Sequence, residues 1–199
     1  MVSIPVEPGM VAAVVTHLEM RARPRPAPIP PAPLQLVRWK APKIDTYRAL
    51  FRRVGEPWLW FSRLVMSDES LAAIIHDPMV EIYAVADPRG IEVGLLELDF
   101  RAMPDCELAF FGLVPQLNGK GHGKWLMAQA KALAWRKGVE RFWVHTCTLD
   151  SPAALGFYIK AGFVPTRREI ETFADPRLAG ILPRDCAPHV PLLDQSANA

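Results

Sequence analysis

Residues 107–125 read Glu107-Leu108-Ala109-Phe110-Phe111-Gly112-Leu113-Val114-Pro115-Gln116-Leu117-Asn118-Gly119-Lys120-Gly121-His122-Gly123-Lys124-Trp125. The first eight form an apolar run of aromatic and branched side chains, the pattern of a buried strand. Pro115 closes the strand, because proline has no N–H to offer a ladder. From Trp125 to Lys137 the chain carries helix formers, with Leu126, Ala130 and Leu133 on one face and Gly138 as the stop. The stretch therefore predicts strand, glycine loop, helix.

That arrangement binds anions. The first turn of a helix leaves backbone N–H groups without partners, and the helix dipole favours negative charge there. Gly119, Gly121 and Gly123 let a phosphate approach the backbone closely. Lys120 and Lys124 add charge, and His122 adds a phosphate or solvent contact. Two familiar phosphate loops fit poorly. The nucleoside-triphosphate loop needs a hydroxyl where Trp125 stands and an opening glycine where Asn118 stands. The dinucleotide fingerprint, counted from Gly119 and Gly121, meets Lys124 at its third glycine. Asp150 imitates that fold's ribose acid, but too little chain follows to complete a doubly wound sheet.

Pro115 to Leu126 (PQLNGKGHGKWL) resembles motif A of the GNAT superfamily of N-acetyltransferases, (Q/R)-x-x-G-x-(G/A), with Asn118, Gly121 and Gly123 in the marked places. Asn118 stands where the family usually has Arg or Gln. Downstream, Ser151 to Phe163 (SPAALGFYIKAGF) resembles the second motif, N-x-x-A-x-x-x-Y-x-x-x-G-F. Tyr158, Gly162 and Phe163 match it, the small residue sits at Ala154, and Ser151 replaces the common Asn. The resemblance extends over roughly residues 34–173.

It implies an α/β fold with a mixed α+β sheet in the order β-α-α-β-β-β-α-β-α-β, its central strands splayed apart. It implies an N-acetyltransferase, an acyltransferase of the class that moves groups other than amino-acyl groups. The donor is acetyl-CoA, with no metal, and a primary amine attacks it directly. Its pyrophosphate would lie on Asn118, Gly119, Lys120, Gly121, His122, Gly123 and Lys124, with Ser151 beside it. Its pantetheine arm would lie along Leu113 and Val114, with a backbone N–H near Leu113 facing the thioester carbonyl. Tyr158 takes the position of the family's acid; a phenol with a pKa of about 10 stays protonated at neutral pH and serves a leaving thiolate. Glu107 takes the position of a catalytic glutamate, with Glu97 and Asp99 on the preceding strand as rivals. An alkyl ammonium of pKa about 10.4 needs such a base at neutral pH. His145 reads as a half-buried strand histidine. Two other functions compete: a non-catalytic acyl-CoA-binding module of the same fold, and a dinucleotide-dependent oxidoreductase.

The composition agrees with one globular domain. The chain has 199 residues, half of them hydrophobic and 22% charged. A net charge of +2 gives no global case for nucleic acid, although residues 21–53 hold nine basic residues and one acid, Asp45. No apolar run is long enough to cross a bilayer, and the N-terminus shows no signal peptide. Cys106, Cys147 and Cys186 are far apart and form no metal spacing. The expected setting is cytoplasmic and reducing, without nucleic-acid or membrane partners. The acceptor is an amine, small molecule or peptide, and a homodimer is carried as a partner state.

Along the chain, Val11, Val14, Val15 and Leu18 follow i, i+3, i+4, i+7 and predict a short amphipathic helix over residues 9–20. Six prolines between Pro24 and Pro33 make a stiff linker. The division is then 1–33, helix and linker; 34–174, the acetyltransferase domain; 175–199, a proline-interrupted tail laid over the domain or partly disordered. Trp58, Trp60 and Phe61 are core packing or the wall of a pocket for an apolar or aromatic acceptor. Asp150 or Ser151 is expected to cap the helix that carries Tyr158.

Overall fold

The computed structural model describes Met1 and residues 3–194. The elements follow in the order β1 (Met10–Met20), β2 (Gln35–Trp39), α1 (Ile44–Gly55), α2 (Asp68–Ile75), β3 (Val80–Ala86), β4 (Glu92–Asp99), β5 (Asp105–Leu113), α3 (His122–Ala134), β6 (Arg141–Cys147), α4 (Ala154–Lys160) and β7 (Val164–Ala174). They build one mixed sheet in the spatial order β2-β3-β4-β5-β6-β1-β7. Every neighbouring pair is antiparallel except β5 with β6.

The sequence of each element explains its place. β3 reads VEIYAVA and is buried along its whole length, as a strand covered on both faces must be. α1 and α2 lie on one face, where Tyr47, Leu50, Phe51 and Leu71 pack on Ile82 and Leu95. Ser67 caps α2 by accepting the Ser70 N–H at 3.1 Å. α3 and α4 cover the other face, where Trp125, Leu126, Ala130 and Tyr158 join Leu96, Leu108 and Phe142. No helix among the described residues is long and apolar enough to cross a membrane.

Residues 9–20 are not a helix. They form β1, which lies between β6 and β7 and is antiparallel to both. The apolar spacing fits a helical face, but Val11, Val14, Val15 and Thr16 are β-branched and stiff at χ1. The ladders on both sides satisfy the backbone of the segment, and a register shift at His17 and Leu18 accommodates its imperfect alternation. The sheet thus takes strands from both sides of the expected boundary at residue 34.

The C-terminal segment is laid over the domain, and one side chain holds it. Arg177 is 2% exposed. It pairs with Asp175 at 2.7 Å and donates to the carbonyls of Cys186, Ala187 and Val190. Leu182 and Ala187 then close a third apolar cluster with Val11, Ala13, Leu59 and Leu149.

Among the described residues, β7 has β1 as its sole neighbour in the sheet. A chain beginning at Leu34 is therefore expected to lose cooperative thermal unfolding, followed by circular dichroism. The milder change Leu18→Ala, at a site 1% exposed, should cost about 3 kcal/mol in urea titration.

Candidate active site

The site begins where β5 and β6 part. They pair only over Asp105–Glu107 against Arg141–Trp143. Beyond that, β5 runs on to Leu113 without β6 beside it. The register of β5 on β4 also shifts, from Glu97 opposite Phe110 to Leu98 opposite Leu108, so Ala109 is an extra residue in the strand. A cavity of about 1000 Å3 fills the parting.

At one end lies the glycine loop. α3 starts at His122 with Gly121 as its N-cap, and no side chain caps it. Gly119 and Gly121 have φ of 74° and 81°. A Cβ built on either would meet nothing within 4 Å, so the corner is open. Gly121, Gly123 and Lys124 at the start of α3 border this space, a setting that suits a diphosphate. Of the residues expected at the donor, Leu113, Asn118, Gly119, Gly121, Gly123, Lys124 and Ser151 line the cavity. Val114, Lys120 and His122 do not border it. Val114 has both main-chain groups committed, its N–H to Val93 at 2.9 Å and its carbonyl to the Leu117 N–H at 3.0 Å.

Tyr158 lines the cavity from α4 and is 7% exposed. Phe111, Phe157 and Phe163 surround its ring. Burial, then the charge of Asp150, pushes its hydroxyl well above the ordinary phenol range, so the proton is held at neutral pH. The cap of α4 is neither expected residue: Ala153 occupies the position without a side-chain bond. Asp150 instead accepts from Thr146 Oγ1 at 2.7 Å, the Cys147 N–H at 3.0 Å and Trp60 Nε1 at 3.2 Å.

The three candidate bases separate by their partners. Glu97 is fully buried and takes the Tyr47 hydroxyl at 2.5 Å and Arg63 at 2.6 Å. Asp99 is bound by Arg101; burial opposes its ionisation, yet those bonds hold it below the ordinary range. Glu107 has no guanidinium partner among the described residues, and its side chain is 26% exposed. Burial, then Asp99 and Glu97, raises it from 4.5 to about 7. Glu107 does not itself border the cavity. His145 does, and its Nδ1 lies 3.7 Å from Glu107 Oε1. Burial, then the neighbouring His17, lowers the pKa of His145, which favours the neutral imidazole. Alternation along β6 puts His145 on one face of its strand, and the pairing of β6 with β5 brings Glu107 beside it.

Trp60 spans the parting. Its ring rests where Gly55 and Gly112 leave room: a Cβ on Gly55 would lie 2.4 Å from Trp60 Cβ, and one on Gly112 3.2 Å from its ring. Its Nε1 reaches Asp150 on the far side. Trp58, Trp60 and Phe61 all line the cavity, and Trp60 also packs on Phe51 and Phe110. Among the described residues no cluster of three or more His, Cys, Asp or Glu side chains is placed to hold a metal ion.

A model of the acetyltransferase (GNAT) family matches residues 47–163. Several solved structures share the fold. A functionally unknown conserved protein from Staphylococcus epidermidis is 12% identical with a TM-score of 0.56, over 84% of this chain and 63% of that one. A GCN5-related N-acetyltransferase from Sphaerobacter thermophilus is 17% identical with a TM-score of 0.59, over 84% and 52%. An aminoglycoside acetyltransferase from an uncultured soil metagenomic sample, in complex with sisomicin, is 16% identical with a TM-score of 0.53, over 65% and 88%. The chain thus spans between half and two thirds of the length of the first two. No curated protein matches it.

The raised pKa of Glu107 has a consequence for stability. Ionising it costs nothing below pH 4.5, increasingly more up to about 7, and the full amount above that. Glu107→Gln should therefore stabilise the fold at about pH 8, by up to about 3 kcal/mol, and leave it unchanged at about pH 4. Thermal melts at the two pH values measure this.

Proposed function

The chain belongs to the GNAT acetyltransferase family, and on that premise we propose that it transfers an acetyl group from acetyl-CoA to the primary amine of a small-molecule or peptide acceptor by direct attack. The observation that carries this reading is the open, uncapped glycine corner at one end of a cavity that the buried, protonated Tyr158 also lines. Acetyl-CoA, when bound, supplies a thioester whose carbonyl carbon takes the amine nitrogen and whose sulfur leaves.

The residues divide the remaining work. The first-turn amides of α3 and Lys124 hold the diphosphate. A backbone N–H of β5 beyond its last pair with β6, near Leu113, faces the carbonyl oxygen. His145 receives the amine proton, and Glu107, 3.7 Å away, takes it on through one bridging water. Tyr158 gives its proton to the sulfur. The N–C bond forms as the C–S bond breaks, and one proton is taken up for each one given. Three free cysteines support a cytoplasmic, reducing setting.

The test is amine-dependent release of thiol from acetyl-CoA, beside calorimetric binding of CoA. Tyr158→Phe should lower kcat about 10²-fold and leave CoA affinity unchanged. Gly121→Val should weaken CoA binding at least about tenfold, since φ of 81° excludes a branched side chain. In the wild type, kcat/KM should rise with pH through a limb near 7 that Glu107→Gln removes. Unchanged thiol release in Tyr158→Phe would refute the assigned acid. CoA binding without thiol release from any amine would favour the non-catalytic module.

A further inference from the structure

The cavity is chemically divided along its length. Its lysines, Lys124 and Lys160, stand on α3 and α4, at the glycine end. At the other end, beneath Trp58 and Phe61, the wall is apolar and aromatic, and its charged residue is Glu171 on β7. Asp150 also borders the cavity, but its two oxygens are taken by Trp60, Thr146 and the Cys147 amide. Glu171 has no hydrogen-bonded or ion-paired partner among the described residues and is exposed. One carboxylate in aromatic surroundings suits a single cationic group on an apolar body.

The same end is roofed. The loop after α1 reaches across the sheet, and Phe61 packs on Phe173 of β7 with ring centroids 4.9 Å apart. Trp58 meets His189 of the C-terminal segment at 5.7 Å, and His189 is tied to the Leu149 carbonyl at 3.0 Å. Leu59, 3% exposed, is packed under this arch with Val11, Ala13 and Leu182. An extended peptide entering over β6, β1 and β7 would meet this arch.

Resting on the acyl-transfer reading above, we propose that the acceptor is a compact aromatic monoamine, taken under the Phe61–Phe173 arch and drawn in by Glu171, and neither a polycation nor a peptide lysine. The aromatic body lies among Trp58, Trp60, Phe61 and Phe173. The one amino group sits between Glu171 and His145, which both border the cavity, with the thioester beyond it. A polyamine or an aminoglycoside would bring several ammonium groups into a wall with one available carboxylate, at the desolvation cost of each unpaired charge.

Thiol release from acetyl-CoA is measured with 2-phenylethylamine, spermidine, sisomicin and a lysine-containing peptide, and calorimetry follows 2-phenylethylamine binding without donor. The proposal expects kcat/KM at least about tenfold higher for 2-phenylethylamine than for the others. Glu171→Gln should raise its KM and Kd about three- to fivefold with kcat unchanged. Preference for spermidine, sisomicin or the peptide, or no effect of Glu171→Gln on KM and Kd, overturns the acceptor assignment and leaves acyl transfer standing. Binding of 2-phenylethylamine that weakens in Glu171→Gln, without thiol release from any amine, supports the chamber and overturns acyl transfer. Absence of both binding and release overturns the acceptor assignment, and CoA affinity then reports separately on the glycine corner.

Discussion

The structure depends on the parting of two parallel strands. β5 and β6 hold together for three residue pairs and then separate. An open ladder inside a protein leaves N–H and C=O groups that must find partners or face a ligand. Here the gap is bounded by α3 and α4 on one side and by the loop after α1 on the other. Every residue assigned a chemical role lies on that gap or one contact behind it. The glycine loop leaves from the far end of β5, Tyr158 stands on the helix that follows β6, and Glu107 sits at the last pair before the strands separate.

The chemistry follows from which acids are already engaged. Three carboxylates lie close together on β4 and β5, and a glance at the sequence makes each a base. Two have arginines: Glu97 takes Arg63 and Asp99 takes Arg101. The third, Glu107, lacks one; burial makes it harder to ionise, Asp99 and Glu97 add to that, and it rises to about 7. The buried Tyr47–Glu97–Arg63 set also pins the loop after α1 to the sheet, so a carboxylate that acts on Glu107 also holds one wall of the cavity. Replacing Glu97 would change both at once.

Local pattern carried the central half of the chain. The run ending at Val114, Pro115, and the glycines before Trp125 are near neighbours whose meaning does not depend on distant contacts. The same is true of Ser67 before α2 and of Tyr158 within its motif. What local pattern missed depends on partners far along the chain. Residues 10–20 carry apolar spacing that suits a helix and branched side chains that suit a strand, and the vacancy between β6 and β7 decides for the strand. His145 matters because Glu107 is beside it, 38 positions earlier in the chain. Asp150 looks like a helix cap, but a tryptophan 90 positions away competes for it. Arg177 is one arginine among many in the sequence, and burial among three or more carbonyls gives it its role.

The place of β1 also sets a timetable. Its neighbours are residues 142–147 on one side and 164–174 on the other. On the ribosome, the segment 10–20 emerges more than a hundred residues before either neighbour exists. It must wait, β-branched and apolar, while the antiparallel trio β3-β4-β5 is already able to fold. The side of the cavity built on β1 and β7 thus closes only after β7 has emerged, and chaperone demand should fall on the waiting segment 10–20.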